Sequence, residues 1–227
     1  MSKNEKTGAI IVAAGFGQRM EGIDKIKAYL GGEPVLARVV DIFQDCSAID
    51  RIVVVVRPEN IEFAQRLKRE RAWSKVTDIV PGGEKRRDSV AAGLSRLERC
   101  DWIIVHDGAR PLVTTELIEQ GLAAARETGA AIAAIPITDT IKLGKDNVVE
   151  RTLPRHDLWA VQTPQVFRFD IIESAYRKVR GDATDDAALV EQMDYPVKIY
   201  LGSYDNIKIT ISHDLVLAEI LLQERVK

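Results

Sequence analysis

The sequence predicts an α/β protein with a Rossmann-like, doubly wound and mostly parallel sheet, helices on both faces and a protruding β-hairpin arm. Apolar runs of strand length alternate with helical segments along most of the 227 residues, and this alternation is typical of βαβ units. Three predicted strands lead into glycine-containing loops. Because ligands of such sheets bind where the strands end, we expect one domain over residues 1–227 with its site at that edge.

Five strands are predicted in the first 135 residues. The first, Ala9–Ala14, is a continuous apolar run with β-branched residues, as expected of a parallel strand that is buried on both faces. The other predicted strands of this part are Arg51–Val56, Val76–Val80, Trp102–His106 and Ala130–Ile135.

Helices are predicted between and after these strands. Proline opens two of them and Ser212 is the predicted N-cap of the last, which extends to about Arg225. The predicted helices before the last one are Pro34–Gln44, Pro58–Arg69, Asp88–Leu97, Thr115–Glu127, Asp170–Val179 and Asp185–Glu191. Two late strands are predicted at Lys198–Leu201 and Ile207–Ile211.

A hairpin is predicted after the fifth strand. Two short alternating runs, Ile137–Leu143 and Val148–Thr152, are joined by the turn-forming residues 144–147. An isolated hairpin has little core of its own. We therefore expect an arm over residues 137–158 that packs on a second copy of the chain; the alternative is an antiparallel edge extension within one chain.

Composition excludes several classes of protein. The net charge of −2 argues against general nucleic-acid binding. No stretch approaches the ~18 apolar residues of a membrane span, and the polar N-terminus does not resemble a signal peptide. Cys46 and Cys100 have no metal or redox spacing and are expected to be buried thiols, and the three histidines are too scattered for a zinc site. These features predict a cytoplasmic protein without membrane or nucleic-acid partners.

The loop after the first strand has the features of a phosphate-binding loop. Gly15 and Gly17 allow the backbone N–H groups to approach an anion closely, and Arg19 and Lys25 add positive charge beside them. The dinucleotide fingerprint is not matched, since Met20 occupies the position of its third glycine. The Gly-Lys-Ser or Gly-Lys-Thr of nucleoside triphosphatases is also missing.

Two further loops carry candidate ligands at the same edge of the sheet. Asp107 directly follows a buried strand, where a carboxylate can hold Mg²⁺ together with phosphate oxygens, and Arg110 can orient a second anion. The segment Gly82–Ser89 places a hydroxyl near the positive end of a helix. Later in the chain, Asp205 and Lys208 lie near one end of the predicted strand Ile207–Ile211, and without other information Lys208 is expected to be a solvated surface lysine.

These motifs together resemble the 2-C-methyl-D-erythritol 4-phosphate cytidylyltransferase family of the sugar-nucleotide transferase superfamily, over nearly the whole chain. The glycine loop and the Leu-Gly-Gly-Glu-Pro segment are shared by many sugar-nucleotide transferases, whereas the later motifs are more specific. The segments that carry the resemblance are Ala13–Met20, Leu30–Leu36, Gly82–Val90, Val105–Pro111, Asp139-Thr140, Thr163-Pro164-Gln165 and Asp205–Lys208.

The resemblance implies a magnesium-dependent enzyme that transfers CMP from CTP to a polyol phosphate and releases pyrophosphate. Arg19 and a lysine would stabilise the reacting α-phosphate, and Asp107, with Asp205, would hold Mg²⁺. Arg155 and Lys208 would position the acceptor phosphate. The implied nucleotide-binding residues are Ala13, Ala14, Gly15, Gly17, Gly82, Gly83, Ser89 and Asp107, and the implied substrate-binding residues are Thr140, Arg155, Thr163, Asp107, Arg110 and Lys208.

The resemblance also implies a homodimer whose arms cross, so that Thr140 and Arg155 serve the partner's site. Two lysines, Lys25 and Lys27, are candidates for the catalytic position. Counting back from the Gly-Gly-Glu-Pro segment favours Lys25.

Three alternative functions remain open from the sequence. A related cytidylyltransferase could use ribitol 5-phosphate as the acceptor. An NADP-dependent oxidoreductase could use Arg57 for the 2′-phosphate of its cofactor. A catalytically silent subunit would bind CTP without turnover.

Overall fold

The structure, a computed structural model, describes residues 5–15, 24–181 and 183–225. Its strands are β1 (Thr7–Ala13), β2 (Tyr29–Leu30), β3 (Glu33–Pro34), β4 (Arg51–Val56), β5 (Val76–Pro81), β6 (Trp102–Asp107), β7 (Ala130–Pro136), β8 (Lys142–Lys145), β9 (Val148–Thr152), β10 (Trp159–Arg168) and β11 (Lys198–Leu201). Its helices are α1 (Val35–Asp45), α2 (Ile61–Glu70), α3 (Arg86–Leu94), α4 (Thr115–Thr128), α5 (Phe169–Lys178), α6 (Ala187–Glu191) and α7 (Ser212–Glu224).

Seven strands form one central sheet in the order β11-β7-β10-β6-β1-β4-β5. Every neighbouring pair is parallel except the two that involve β10, which runs antiparallel to β6 and β7. In the middle of the sheet Ile10 lies between Val53 and Val105. The α/β class and the mostly parallel sheet predicted from the sequence are confirmed.

Helices cover both faces because the residues of β1 alternate between two cores. Ile11 and its neighbours on one face pack with α1, α2 and α4. Ile10 packs on the other face with α3, α5 and α6. Both residues are fully buried, which explains why the strand is apolar without a break.

The register of β1 and β6 creates the edge where the candidate site lies. Val12 is opposite Asp107, and the N–H of Gly108 donates to the carbonyl of Val12 at 2.8 Å. A Cβ at Gly108 would lie 2.8 Å from the Cβ of Ala13, so glycine permits this close approach. The loops after the two strands therefore start side by side.

Strand β10 was not predicted from the sequence. Pro164 lies inside it, and proline normally argues against a central strand because it cannot donate to the ladder. The structure accommodates it by a register shift against β7 between Val161 and Gln165. The ten-residue strand then continues as an ordinary partner of β6 from Gln165 to Arg168.

Two predictions near the C-terminus are wrong. Residues 207–211 are not a strand; the backbone contact of this segment with the loop after β6 is the bond from the N–H of Ile209 to the carbonyl of Ala109 at 2.8 Å. Ser212 is the first residue of α7, not its cap. The capping carboxylate is Asp214, which accepts the N–H groups of Thr210 and Ile211 at 2.7 and 2.9 Å.

A hairpin is present as the antiparallel pair of β8 and β9. Its first strand begins at Lys142 and not at Ile137, and its turn is residues 146–147 and not 144–147. All residues of both strands are exposed, including the apolar Val148 and Val149 at 68% and 59%. The hairpin therefore protrudes from the sheet. Within the described residues no helix is long and apolar enough to cross a membrane.

Candidate active site

Two cavities at the carboxyl edge of the sheet share one wall. The first, of about 250 Å³, lies at the end of β1, and the second, of about 400 Å³, lies beside β10. The side chains of Arg86, Asp107 and Lys208 line both. Two ligands that occupy these cavities would therefore meet across a wall that carries one carboxylate and two cations.

The first cavity contains most of the residues that sequence reasoning assigned to a nucleotide. Those that line it are Ala13, Ala14, Gly15, Gly83, Ser89 and Asp107. Lys25, predicted for the α-phosphate, and Lys208, predicted for the acceptor phosphate, line it as well. Gly82 does not line this cavity, but it packs closely on Ala14, since a Cβ at Gly82 would lie 2.3 Å from the Cβ of Ala14. Gly17 and Arg19 lie outside the described residues.

Ser89 holds the second glycine loop in place. It is buried, at 2% exposure. Its hydroxyl accepts the N–H of Gly83 at 3.2 Å and donates to the carbonyl of Lys85 at 3.3 Å. Helix α3 begins at Arg86, two residues earlier than predicted, so Ser89 lies in its first turn. The predicted contact of Ser89 with a nucleotide stays a prediction.

Asp107 is a buried carboxylate surrounded by cations. Its Oδ2 accepts a bond from Lys208 Nζ at 2.7 Å, and its Oδ1 accepts one from Arg86 Nε at 3.3 Å. Arg110 Nε lies 3.9 Å away. Burial favours the neutral acid, but the attraction to Lys208 and Arg86 outweighs it and holds the pKa of Asp107 well below its ordinary value. The group is therefore an anion at neutral pH.

The backbone of Asp107 is fixed by a buried polar network. The Oγ1 of Thr163 accepts the N–H of Asp107 at 3.0 Å and lies 3.1 Å from Nδ1 of His106. Since Nε2 of His106 faces the carbonyl of Arg110 at 3.2 Å, Nε2 carries the proton and Nδ1 accepts from the Thr163 hydroxyl. Burial lowers the pKa of His106 from 6.5 to about 4, so this tautomer persists at neutral pH.

Thr163 was predicted to contact substrate. It lines the second cavity, and its hydroxyl also contacts Asp107 and His106, so its contact with substrate stays a prediction. His106 itself was missed as part of the site. Only its place beside Asp107 at a strand end could have indicated it.

The structure separates the two candidate lysines. Lys25 lines the first cavity. Lys27 is exposed, and its Nζ lies 5.5 Å from the centre of the Phe63 ring. The geometry therefore favours Lys25 for contact with a ligand, as counting back from the glycine pair did.

Arg86 is a residue of the shared wall that sequence reasoning included in the Gly82–Ser89 segment but did not single out. Its Nη1 donates to Asp186 Oδ2 at 2.8 Å, and Asp186, only 1% exposed, also accepts the hydroxyl of Tyr176 at 2.5 Å. Burial alone would lower the pKa of Arg86, but Asp186 and Asp107 outweigh it and raise that pKa. A signal existed, because Arg86 lies in the Gly82–Val90 segment that carries the family resemblance.

Arg110 and Lys208 reach the second cavity from neighbouring loops. Arg110 Nη1 donates to the carbonyl of Asn206 at 2.6 Å. The fully buried Asn206 in turn donates its Nδ2 to the carbonyl of Thr163 at 2.8 Å. The side chain of Lys208 is 43% exposed, yet it is not merely solvated, because it pairs with Asp107.

Three predicted residues lie apart from the two cavities. Thr140 and Arg155 are exposed residues of the arm region, and Arg155 Nη1 donates to the carbonyl of Thr138 at 2.6 Å. Asp205 lies 3.7 Å from Arg225. None of the three is among the described residues that line either cavity, and their roles stay predictions.

Arg57 was the residue required by the oxidoreductase alternative. Its Nη2 contacts Asp24 Oδ2 at 2.6 Å and its Nη1 contacts Glu59 at 3.2 Å. A guanidinium engaged by two carboxylates is poorly placed to receive a 2′-phosphate. The structure therefore does not favour that alternative.

Cations grouped around two adjoining cavities on a doubly wound sheet are suited to nucleotidyl transfer, and the chain is a nucleotidyltransferase. The model of the family described as IspD, 2-C-methyl-D-erythritol 4-phosphate cytidylyltransferase, matches residues 7–224. The chain belongs to this family.

Similar proteins cover nearly the whole chain. A curated 2-C-methyl-D-erythritol 4-phosphate cytidylyltransferase from Dehalococcoides mccartyi is 53% identical over 225 residues, which is 99% of each chain. The structure of 4-diphosphocytidyl-2C-methyl-D-erythritol synthase from Anaerococcus prevotii matches with a TM-score of 0.85 and 32% identity over 96% of each chain. That of the Thermus thermophilus cytidylyltransferase matches with a TM-score of 0.79 and 31% identity, over 97% of this chain and all of the other.

The buried His106 predicts a specific dependence of stability on pH. Its pKa is about 4 in the folded chain and 6.5 when exposed, so the unfolded chain binds more protons between these values. Stability is therefore lost as the pH falls from 6.5 towards 4. We expect His106 to remove about 2 kcal/mol from the free energy of unfolding between pH 7 and pH 5.

The measurement is urea unfolding of the metal-free chain at both pH values, for the wild type and His106→Asn. The variant will be less stable at pH 7, but its loss on acidification should be smaller by this amount. Equal losses in the two proteins would show that His106 does not contribute.

Proposed function

We propose that this chain transfers CMP from CTP to 2-C-methyl-D-erythritol 4-phosphate, releasing pyrophosphate and forming 4-diphosphocytidyl-2-C-methyl-D-erythritol in the non-mevalonate route to isoprenoids. The observation that carries the proposal is the wall of Arg86, Asp107 and Lys208 shared by two cavities. CTP would occupy the first cavity and the polyol phosphate the second. Membership of the family supports the same assignment.

The reaction joins a phosphate oxygen of the acceptor to the α-phosphorus of CTP and breaks the bond from that phosphorus to pyrophosphate. A phosphate monoester has a second pKa of ~6, so at neutral pH the nucleophile is already ionised and needs no general base. The barrier lies in bringing two polyanions together and in stabilising charge at the α-phosphate. Cations fixed before the ligands arrive meet both demands.

The side chains divide this work by position. Lys25 in the first cavity would contact the α-phosphate of CTP, together with Arg19. Lys208 and Arg110 in the second cavity would bind the phosphate of the acceptor. Asp107 orients Lys208 between them through their 2.7 Å contact.

We propose Mg²⁺ as the cofactor, bound by Asp107 and by phosphate oxygens of CTP. The residues present fit this ion, because Asp107 is ionised at neutral pH and Mg²⁺ in phosphate sites needs only one or two carboxylates. In the described part of the chain no cluster of three or more His, Cys, Asp or Glu could hold a metal, so phosphates and water would supply most ligands. The bound ion would neutralise charge on the phosphates.

We propose that residues 137–158 act as an arm exchanged within a homodimer. Supporting this, the apolar Val148 and Val149 of the arm are exposed, as are Thr140 and Arg155. In such a dimer Thr140 and Arg155 would complete the second cavity of the partner.

We also propose a cytoplasmic location, which is supported by the free buried thiols of Cys46 and Cys100.

The proposed acceptor is tested by measuring CTP- and Mg²⁺-dependent pyrophosphate release with different polyol phosphates. We expect 2-C-methyl-D-erythritol 4-phosphate to give a kcat/KM at least ~10²-fold above that of ribitol 5-phosphate, because a site built to bind particular hydroxyl groups rejects an acceptor that leaves them unpaired. A preference for ribitol 5-phosphate would assign the chain to the alternative cytidylyltransferase. Binding of CTP without release under any acceptor would indicate a silent subunit.

The two lysines give a matched pair of variants. Lys25→Ala should lower kcat by ~10²-fold or more, on the scale of losing one oxyanion donor. Lys27→Ala should stay within about twofold of wild type, since exposed substitutions away from a site have small effects. Steady-state pyrophosphate release at saturating CTP measures both, and the reverse pattern would assign the catalytic role to Lys27.

Mixing two inactive variants tests the exchanged arm. We expect Arg155→Ala and Lys25→Ala to be inactive alone but to recover activity when refolded together at equal concentrations. Half of the dimers would then be mixed, and each would hold one intact site, giving about one quarter of wild-type activity. No recovery, although mass spectrometry detects mixed dimers, would place Arg155 in its own chain's site.

A further inference from the structure

The turn that carries Lys25 is held by a side-chain cluster that has no assigned role. We name the cluster of Asp24, Arg57 and Asn60 the Asp24 clamp. Asp24 Oδ2 accepts Nη2–H of Arg57 at 2.6 Å and Nδ2–H of Asn60 at 2.7 Å. The clamp therefore connects the residue before Lys25 to the end of β4 and the start of α2.

Asp24 also organises the turn itself. Its carbonyl accepts the N–H groups of Lys27 and Ala28 at 2.9 and 3.0 Å, and its Oδ1 accepts that of Ile26 at 3.3 Å. Ile26 is buried at 4% exposure. Lys25 is thus flanked by an anchored carboxylate on one side and a buried apolar side chain on the other.

The side chain of Asn60 is held in the clamp by its bond to Asp24. The residue is fully buried, and within the described residues its Oδ1 has no hydrogen-bond partner. An unsatisfied buried amide oxygen is unfavourable, so an apolar residue would suit this position better for stability alone. The bond from Nδ2 to Asp24 is the compensating interaction.

Arg57 has an electrostatic role in the same clamp. The carboxylate of Asp24 is adjacent in sequence to Lys25, and an unpaired anion there would offset the positive charge that Lys25 presents to a phosphate. The ion pair with Arg57, which Glu59 shares, reduces this opposing charge. The two side chains are about one fifth exposed, at 20% and 21%, so the pair is only partly screened by water.

We propose that Asp24, Arg57 and Asn60 are positioning residues for nucleotidyl transfer, which hold Lys25 against the α-phosphate of CTP. Asp24 is not among the residues that line the first cavity, whereas Lys25 and Ile26 are, so the clamp acts through Lys25 and not on the nucleotide directly. This inference rests on the proposed function and on the proposed role of Lys25. The physical basis is that the rate of phosphoryl transfer depends steeply on the placement of charged groups, since a displacement of ~1 Å can lower the rate ~10²-fold.

The test compares Asp24→Ala with Asp41→Ala. Asp41 is a matched control because its carboxylate also accepts one arginine and one neutral side-chain N–H donor, Arg71 at 3.1 Å and Trp73 at 2.6 Å, but it lines neither cavity. We expect Asp24→Ala to lower kcat by ~10-fold or more with KM for CTP within about threefold, since positioning acts mainly in the transition state. Asp41→Ala should lower the melting temperature but leave kcat within about twofold of wild type.

A double variant distinguishes positioning from general damage. If the clamp acts through Lys25, Asp24→Ala should have no further effect on kcat in the Lys25→Ala background. Full additivity of the two losses, an unchanged kcat in Asp24→Ala, or an equal loss in Asp41→Ala would each overturn the inference. Should Asp24→Ala fail to fold, Asp24→Asn is read by the same criteria.

The outcomes also separate this inference from the proposed function. Wild-type chain that releases no pyrophosphate with CTP and any acceptor overturns the proposed function and the clamp with it. Active wild type with an active Lys25→Ala overturns the role of Lys25 and the clamp, but not the reaction. Active wild type, inactive Lys25→Ala and unaffected Asp24→Ala overturn the clamp alone.

Discussion

The buried carboxylate of Asp107 holds together cations that the fold brings from distant parts of the chain. Arg86 comes from the start of α3, Arg110 from the loop after β6 and Lys208 from the segment before α7, and all three approach the same group. Like charges repel strongly in a partly buried site. Asp107 makes their proximity tolerable before any ligand is present, and in the proposed function the remaining positive field attracts the phosphates.

The position of Asp107 depends in turn on the backbone of the sheet. The parallel register of β1 and β6 places Asp107 opposite Val12, and the hydroxyl of Thr163 from β10 accepts its N–H. A neutral His106 completes this support, because the protonated ring could not accept from Thr163. The antiparallel strand β10 is therefore part of the site as well as of the sheet.

The sequence predicted best those features that depend on local pattern. Strand β4 has the predicted bounds because a strand buried on both faces is apolar without a break, and Asp107 could be chosen because it follows such a strand. Pairings across long separations in sequence were not predictable. Arg86 and Asp186 lie 100 positions apart, and neither hydrophobic periodicity nor loop composition contains information about such a contact. Strand β10 was missed for a different reason. Pro164 argues against a strand in the sequence, whereas the register shift between Val161 and Gln165 allows the strand to include it.

The proposed dimer would give the exposed hairpin a partner surface. Every residue of β8 and β9 is exposed, and a two-stranded hairpin alone is at best marginally stable in water. Exposed apolar residues such as Val148 and Val149 become favourable only when another surface covers them. The second cavity is lined by the cationic side chains of Arg110 and Lys208. If the arm of a second copy covers this cavity, the contact would bury the apolar residues of the arm. It would also exclude water from the place where the two phosphates meet. Electrostatic stabilisation of the reaction is strongest where water is excluded.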